Sequence, residues 1–182
     1  MIKKYSVLIC LAASMVFIVI ATFRYPGGSL LDKNSIGFHW SENFISNLFA
    51  AKGINGLENA GRIWAVIGMA FHSVGYGVFF INMSKKLSSN QWAKSLRFIG
   101  LSNLMFIFLI ATPLHDLGTI SIVLTLAGLF TITVLILKSK LHLLKFCCII
   151  CLLTYYVFFF FYGFGYLELT AIMQKVYIIC SM

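Results

Sequence analysis

This sequence is poor in charge, poorer still in acid, and almost without proline. Only 10% of its 182 residues are charged, and five of those are Asp or Glu. A solvated globular domain carries charge on about a quarter of its residues, so an ordinary water-soluble surface is excluded. Two prolines leave room for long uninterrupted helices. Period-2 alternation is also missing, which argues against a membrane barrel. The chain has no ATP-binding loop, Rossmann fingerprint, G-x-S-x-G elbow or H-E-x-x-H pair, so the chemistries those motifs serve are not signalled. With no basic-aromatic stripe either, nucleic acid is not an expected partner.

What fills the chain instead is apolar. Hydrophobic residues make up 60% of it, with eighteen Phe, and the mean hydropathy is +0.95. Crossing about 30 Å of hydrocarbon takes roughly 20 apolar residues in a helix. The runs predict complete spans at Tyr5–Phe23, Ala60–Met83, Leu96–Thr112, Leu117–Leu137 and Phe146–Leu167. A sixth segment, 168–182, is too short to cross comfortably and carries Gln174 and Lys175 in its middle. It reads as a short or truncated sixth helix. The first span has a basic start, but its apolar run is long for a signal peptide and lacks an A-x-A site, so it reads as a retained helix. The fold class expected is an all-α polytopic membrane bundle of six helices, forming one domain over 1–182.

Charge placement orients that bundle. With a cytoplasmic N-terminus, Lys3, Lys4, Lys85, Lys86, Lys94, Arg97, Lys138, Lys140 and Lys145 fall inside. Arg24, Lys33, Lys52, Arg62 and Lys175 fall outside. That bias follows the positive-inside rule and accounts for the net charge of +9 without a polyanion. The acidic residues Asp32, Glu42, Glu58, Asp116 and Glu168 all fall outside. A plasma-membrane location is expected, with membrane lipids, and possible further membrane proteins, as partners.

One outer stretch stands apart, "GFHWSENFISNLF" at 37–49. Helical spacing would put Glu42, Asn43, Ser46 and Asn47 on one side and Phe44, Ile45, Leu48 and Phe49 on the other. This predicts a short amphipathic helix in the first outer loop, with Ser41 as N-cap and Trp40 stapled onto Ile45. Its polar side is expected to roof an outward-facing site. Upstream, "RYPGGSLLD" is a turn signal.

Below the loop, Gly61, Ala65, Gly68, His72 and Gly75 form a stripe suited to close helix contact. His72 breaks that stripe of small residues at mid-depth. An imidazole there either bonds a neighbouring hydroxyl or serves as a ligand or proton carrier. Gly118, Ser121, Thr125 and Gly128 form a second small face, read as helix packing, and Asn82 and Asn103 as interhelical hydrogen bonds. In "ATPLHDLGT" Asp116 reads as an N-cap for the next helix. Alternatively His115 and Asp116 join the polar loop, so the ligand-binding candidates are His39, Glu42, Asn43, His72, His115 and Asp116. His72 and His115 are the candidate metal ligands. No two histidines have the H-x-x-x-H spacing, so no cofactor is expected, with zinc as the alternative. Cys10, Cys147, Cys148, Cys151 and Cys180 lie in or beside apolar spans and read as small buried residues. The aromatic run "TYYVFFFFYGFGYLE" reads as a lipid-facing surface with Tyr162 and Tyr166 in an aromatic belt.

The "YPGG" turn after the first span, the loop "HWSENFISNL" and the turn "PLHD" together resemble a family of bacterial and archaeal multi-pass membrane proteins known as a domain of unknown function. That family is similar in outline to the six-helix damage-regulated autophagy modulators. The matching residues are Tyr25, Pro26, Gly27, Gly28, Glu42, Asn43, His115 and Asp116. The resemblance implies a six-helix bundle, an N-terminus inside and an outer polar cluster, and it implies no activity. The leading expectation is a bundle that binds a lipid or small amphiphile as a sensor, organiser or accessory subunit. The alternatives are a metal-dependent hydrolase acting on a lipid head group, and a proton-coupled carrier.

Overall fold

A computed structural model describes residues 2–87, 90–137 and 139–182. Ser88, Ser89 and Lys138, which belong to the basic loops of the charge argument, lie outside the described residues. The helices are α1 (Ile2–Phe23), α2 (Arg62–Ser84), α3 (Asn90–Leu109), α4 (His115–Gly118), α5 (Ile120–Ile136), α6 (His142–Gly163) and α7 (Leu167–Ser181). A 3-10 turn spans Ile45–Phe49. Among the described residues there is no strand, only the isolated bridges Gly27–Ile36 and Lys52–Glu58. Among the described residues four helices are long and apolar enough to cross a membrane: Tyr5–Phe23, Arg62–Ser84, His115–Ile136 and His142–Gly163.

Two expected segments fit that measure less well. The run Leu96–Thr112 becomes α3, which starts earlier and ends at Leu109, so its first two turns carry Gln91, Lys94 and Arg97. The last segment is a helix of 15 residues, α7, which is outside the four. The expected span Leu117–Leu137 is in two pieces, a single turn and then α5, with Thr119 between them.

Consecutive helices pack as neighbours, α1 on α2, α2 on α3, α3 on α5, α5 on α6 and α6 on α7. Small residues set the closest approaches, as membrane helix interfaces require. A Cβ on Gly68 would lie 3.1 Å from the Ser14 carbonyl oxygen of α1, and one on Gly75 would lie 2.8 Å from Leu11. Gly77 and Gly100 face each other across α2 and α3, each placing a would-be Cβ within 3.0 Å of the other's carbonyl oxygen. The glycine stripe of α2 is therefore its seam with α1. Ser73 Oγ donates to the Leu104 carbonyl at 3.0 Å, and Asn103 Nδ2 to Thr125 Oγ1 at 3.0 Å. The second of these is the interhelical bond expected of Asn103.

The segment from 24 to 61 caps one end of the bundle, here called the loop end, and is built around "YPGG". Gly27 has φ +132° and Gly28 has φ +81°, backbone conformations that favour glycine. A Cβ on Gly28 would lie only 2.3 Å from the Asn55 backbone nitrogen. Tyr25 is buried, and its hydroxyl accepts from the Ile54 N–H at 3.1 Å. Burial raises the Tyr25 phenol above its ordinary pKa.

The amphipathic helix expected in this loop is much reduced. Residues 40–42 form a turn, 43–44 are irregular and only Ile45–Phe49 is helical, with Phe44 rather than Ser41 at its N-cap. The reason lies in the asparagines, whose side chains offer the backbone partners that compete with helix bonds. Asn43 Oδ1 accepts from the His39 N–H at 2.9 Å, and Asn47 Oδ1 from the Phe44 N–H at 2.6 Å. Trp40 packs edge-on against Phe38, at 5.4 Å between ring centroids.

Candidate functional site

Of the polar residues of 37–49, Glu42, Asn43 and Asn47 turn into the loop itself. Asn43 is fully buried and its Nδ2 donates to the Gly28 carbonyl at 2.8 Å. Glu42 accepts from Ser29 Oγ at 2.5 Å. Asn59 does the same work nearby, donating to the Leu48 and Ala50 carbonyls at 3.0 and 2.9 Å and accepting from the Gly61 N–H. His39 is exposed, with its backbone engaged in the turn. None of His39, Glu42 and Asn43 lines either cavity of the bundle. Their expected place over a site goes instead to the apolar half of the stretch, with Ser46. The physical reason is satisfaction: buried amides that bond the backbone fully have nothing left to offer a ligand.

The larger cavity lies under the 3-10 turn, among α2, α3, α5, α6 and α7, and measures about 530 Å3. Phe44, Ile45, Ser46 and Phe49 come from the loop side, and Tyr76, Tyr155, Phe158 and Tyr177 form an aromatic wall. Tyr155 and Tyr177 have ring centroids 4.5 Å apart, and Phe158 lies 4.8 Å from Tyr177. Polar atoms enter from Ser121, Thr125, Gln174 and Ser181. Gln174 Oε1 accepts from the Ile45 N–H at 2.7 Å, which ties α7 to the loop. The Tyr76 hydroxyl is held by Ser181, which ties α7 to α2.

His72 and His115 both line this cavity, so the two candidate ligands share one space. His72 is half-buried, with its ring 4.6 Å from that of Tyr76, and among the described residues its side chain has no hydrogen bond. The bond to a neighbouring hydroxyl expected of it is not formed, and the adjacent Tyr76 hydroxyl goes to Ser181. Asp116 does not cap the helix. Leu114 takes that position, and the Asp116 side chain is fully exposed, 3.6 Å from His115 Nδ1. An exposed pair of that kind holds little together. Among the described residues, no three His, Cys, Asp or Glu side chains group closely enough to hold a metal ion.

Sequence reasoning missed most of the aromatic wall. The run 154–168 does not simply face lipid: Tyr155 and Phe158 are buried, while Tyr156, Phe160 and Tyr162 are exposed. Of the second small face, Gly128 packs on the Phe80 ring, whereas Ser121 and Thr125 line the cavity. Cys148 and Cys151 are buried as expected, but Cys147 is exposed.

Lys175 was not among the expected site residues, though its charge stands in the middle of an apolar segment. It is 8% exposed, and its Nζ donates to the Asn43 carbonyl at 2.5 Å and the Ala171 carbonyl at 2.7 Å. It also lies 5.8 Å from the centroid of the Phe38 ring. A charge inside an apolar helix is a functional-site signal by itself.

No family model, curated protein or solved structure matches the chain.

Proposed function

We propose that this chain is a membrane-embedded helical bundle that binds a lipid or small amphiphile in the cavity beneath its loop end. The carrying observation is the cavity itself, about 530 Å3 with aromatic walls and a few hydroxyls, in a chain with four span-capable helices. Ligand sites of about 300–1,000 Å3 lined mainly by apolar and aromatic groups, with sparse polar ones, suit amphiphiles. The distribution of Lys and Arg favours a plasma-membrane topology with the N-terminus inside and the loop end outside. On that reading α7 is a short sixth helix entering from the outer side, and the ligand comes from the outer leaflet. The bundle then acts as a sensor, organiser or accessory subunit.

Native mass spectrometry of detergent-purified protein tests this. Retained lipid, lost in Thr125→Phe and Ser121→Phe, is expected, because a phenyl group at either position fills the cavity. Lipid retention unchanged by both variants would remove the cavity from the account.

A second reading rests on His72 and His115 sharing the cavity. Two imidazoles on one metal, with a water as nucleophile, would make a head-group hydrolase. Elemental analysis beside His72→Ala and His115→Ala separates the two readings. About one transition metal per chain, lost in both variants, would favour the hydrolase.

A further inference from the structure

A smaller cavity of about 180 Å3 lies between α1 and α7, against α2. Its walls are almost wholly apolar, with Ile18 and Val19 from α1 and Ile178 and Ile179 from α7. Three polar side chains nevertheless reach it: Ser14, His72 and Lys175.

Two of these are bonded in a way that calls for a ligand. The Ser14 hydroxyl is buried, at 1% exposure, and has no hydrogen-bond partner among the described residues. A buried hydroxyl left so is uncommon and costly. Lys175 is a buried cation whose two known acceptors are neutral carbonyls, and an ammonium has three donors. Its natural counter-ions are engaged elsewhere. Glu42 takes Ser29 Oγ, Glu58 faces Lys52, Asp116 faces His115, and Asp32 Oδ1 accepts from the Asn34 N–H. Among the described residues no carboxylate, that of Glu168 included, forms an ion pair with Lys175. A buried charge needs a partner, and this protein's own acids do not supply one.

We propose that this groove binds a single-chain carboxylate amphiphile of the fatty-acid type. The head group takes the third Lys175 donor and the Ser14 hydroxyl, and the alkyl chain lies between α1 and α7. One cation and one hydroxyl match a small monoanionic head, and a cavity below the usual 300–1,000 Å3 range suits one narrow chain better than a two-chain lipid. This site is separate from the larger cavity, with which it shares His72, Met69, Ile45 and Ile178 as a dividing wall.

Trp40 lines the groove and reports on it. With Trp64→Phe and Trp92→Phe in the background, Trp40 is the sole tryptophan of the three. The probes are brominated stearate and its methyl ester, whose bromines quench indole fluorescence in detergent-purified protein. The acid is expected to bind about tenfold more tightly than the ester, as a charge-assisted hydrogen bond allows. Lys175→Met should remove that preference while ester quenching persists, which also shows the groove intact. Ser14→Ala should weaken the acid by about threefold and leave the ester unchanged. If Lys175→Met loses the ester as well, Ser14→Ala decides: a selective loss supports the site, and no change overturns it. Equal quenching by acid and ester overturns it outright, as does a preference that survives Lys175→Met. Thr125→Phe should leave the preference intact; if it abolishes it, the head group sits in the larger cavity and the groove assignment fails.

Discussion

The loop end and the bundle interior hold polar side chains of the same kinds, and the bundle alone leaves some of them without a partner. In the loop, Asn43 and Asn59 are buried and each uses both ends of its amide on backbone groups. In the bundle, Ser14 Oγ and Asn103 Oδ1 are buried with no partner among the described residues, and His72 rests on a ring. A fully bonded amide specifies a backbone path, whereas an under-bonded group retains interaction energy for something else. The difference separates structural polarity from available polarity. In an apolar chain, richness in polar residues alone does not mark a site.

The largest test of that contrast is at the turn the asparagines hold. Gly28→Val forces a β-branched residue to φ +81° and drives its Cβ into the Asn55 backbone. A loss of more than about 4 kcal/mol is expected, read as the cap failing in thermal or detergent unfolding. Next comes Asn43→Ala, which strands the Gly28 carbonyl and the His39 N–H. About 3 kcal/mol of destabilisation should follow, with no change in amphiphile binding beyond what stability explains. A binding loss in a variant of unchanged Tm would place Asn43 back among the ligand contacts.

Lys175 sits between the two regimes, because two carbonyls hold its ammonium and among the described residues no carboxylate pairs with it. Lys175→Met takes a charged donor from the Asn43 and Ala171 carbonyls and unties α7 from the loop, so a destabilisation of about 2 kcal/mol is expected in detergent unfolding. An unchanged Tm would mean that removing the buried charge offsets both bonds.

The smallest effect belongs to the exposed pair. Asp116→Asn should leave Tm unchanged within error, since His115 and Asp116 meet in solvent and Asp116 caps nothing. A clear shift would show that the turn before α5 depends on this carboxylate.

What was legible in the sequence follows from what is local. Long apolar runs without proline specify helices, because the backbone's bonds close within each segment. Thus α1, α2 and α6 begin and end within a few residues of the expected spans. The stripe Gly61, Gly68 and Gly75 announced a seam, since only small residues let backbones meet. Long-range partnering was not legible. Nothing near 43 in the sequence says that its carbonyl receives Lys175, 132 residues away. Nothing near 155 places Tyr155 on Tyr177 rather than in lipid.

By itself, then, the sequence determined a helical, membrane-suited chain with a glycine-dependent turn after α1. Hydrophobic burial and backbone bonding act over a few residues, and composition reports them. Only the tertiary structure decided which polar groups are satisfied, because satisfaction depends on partners that the packing of α7 against the loop and α2 brings within reach.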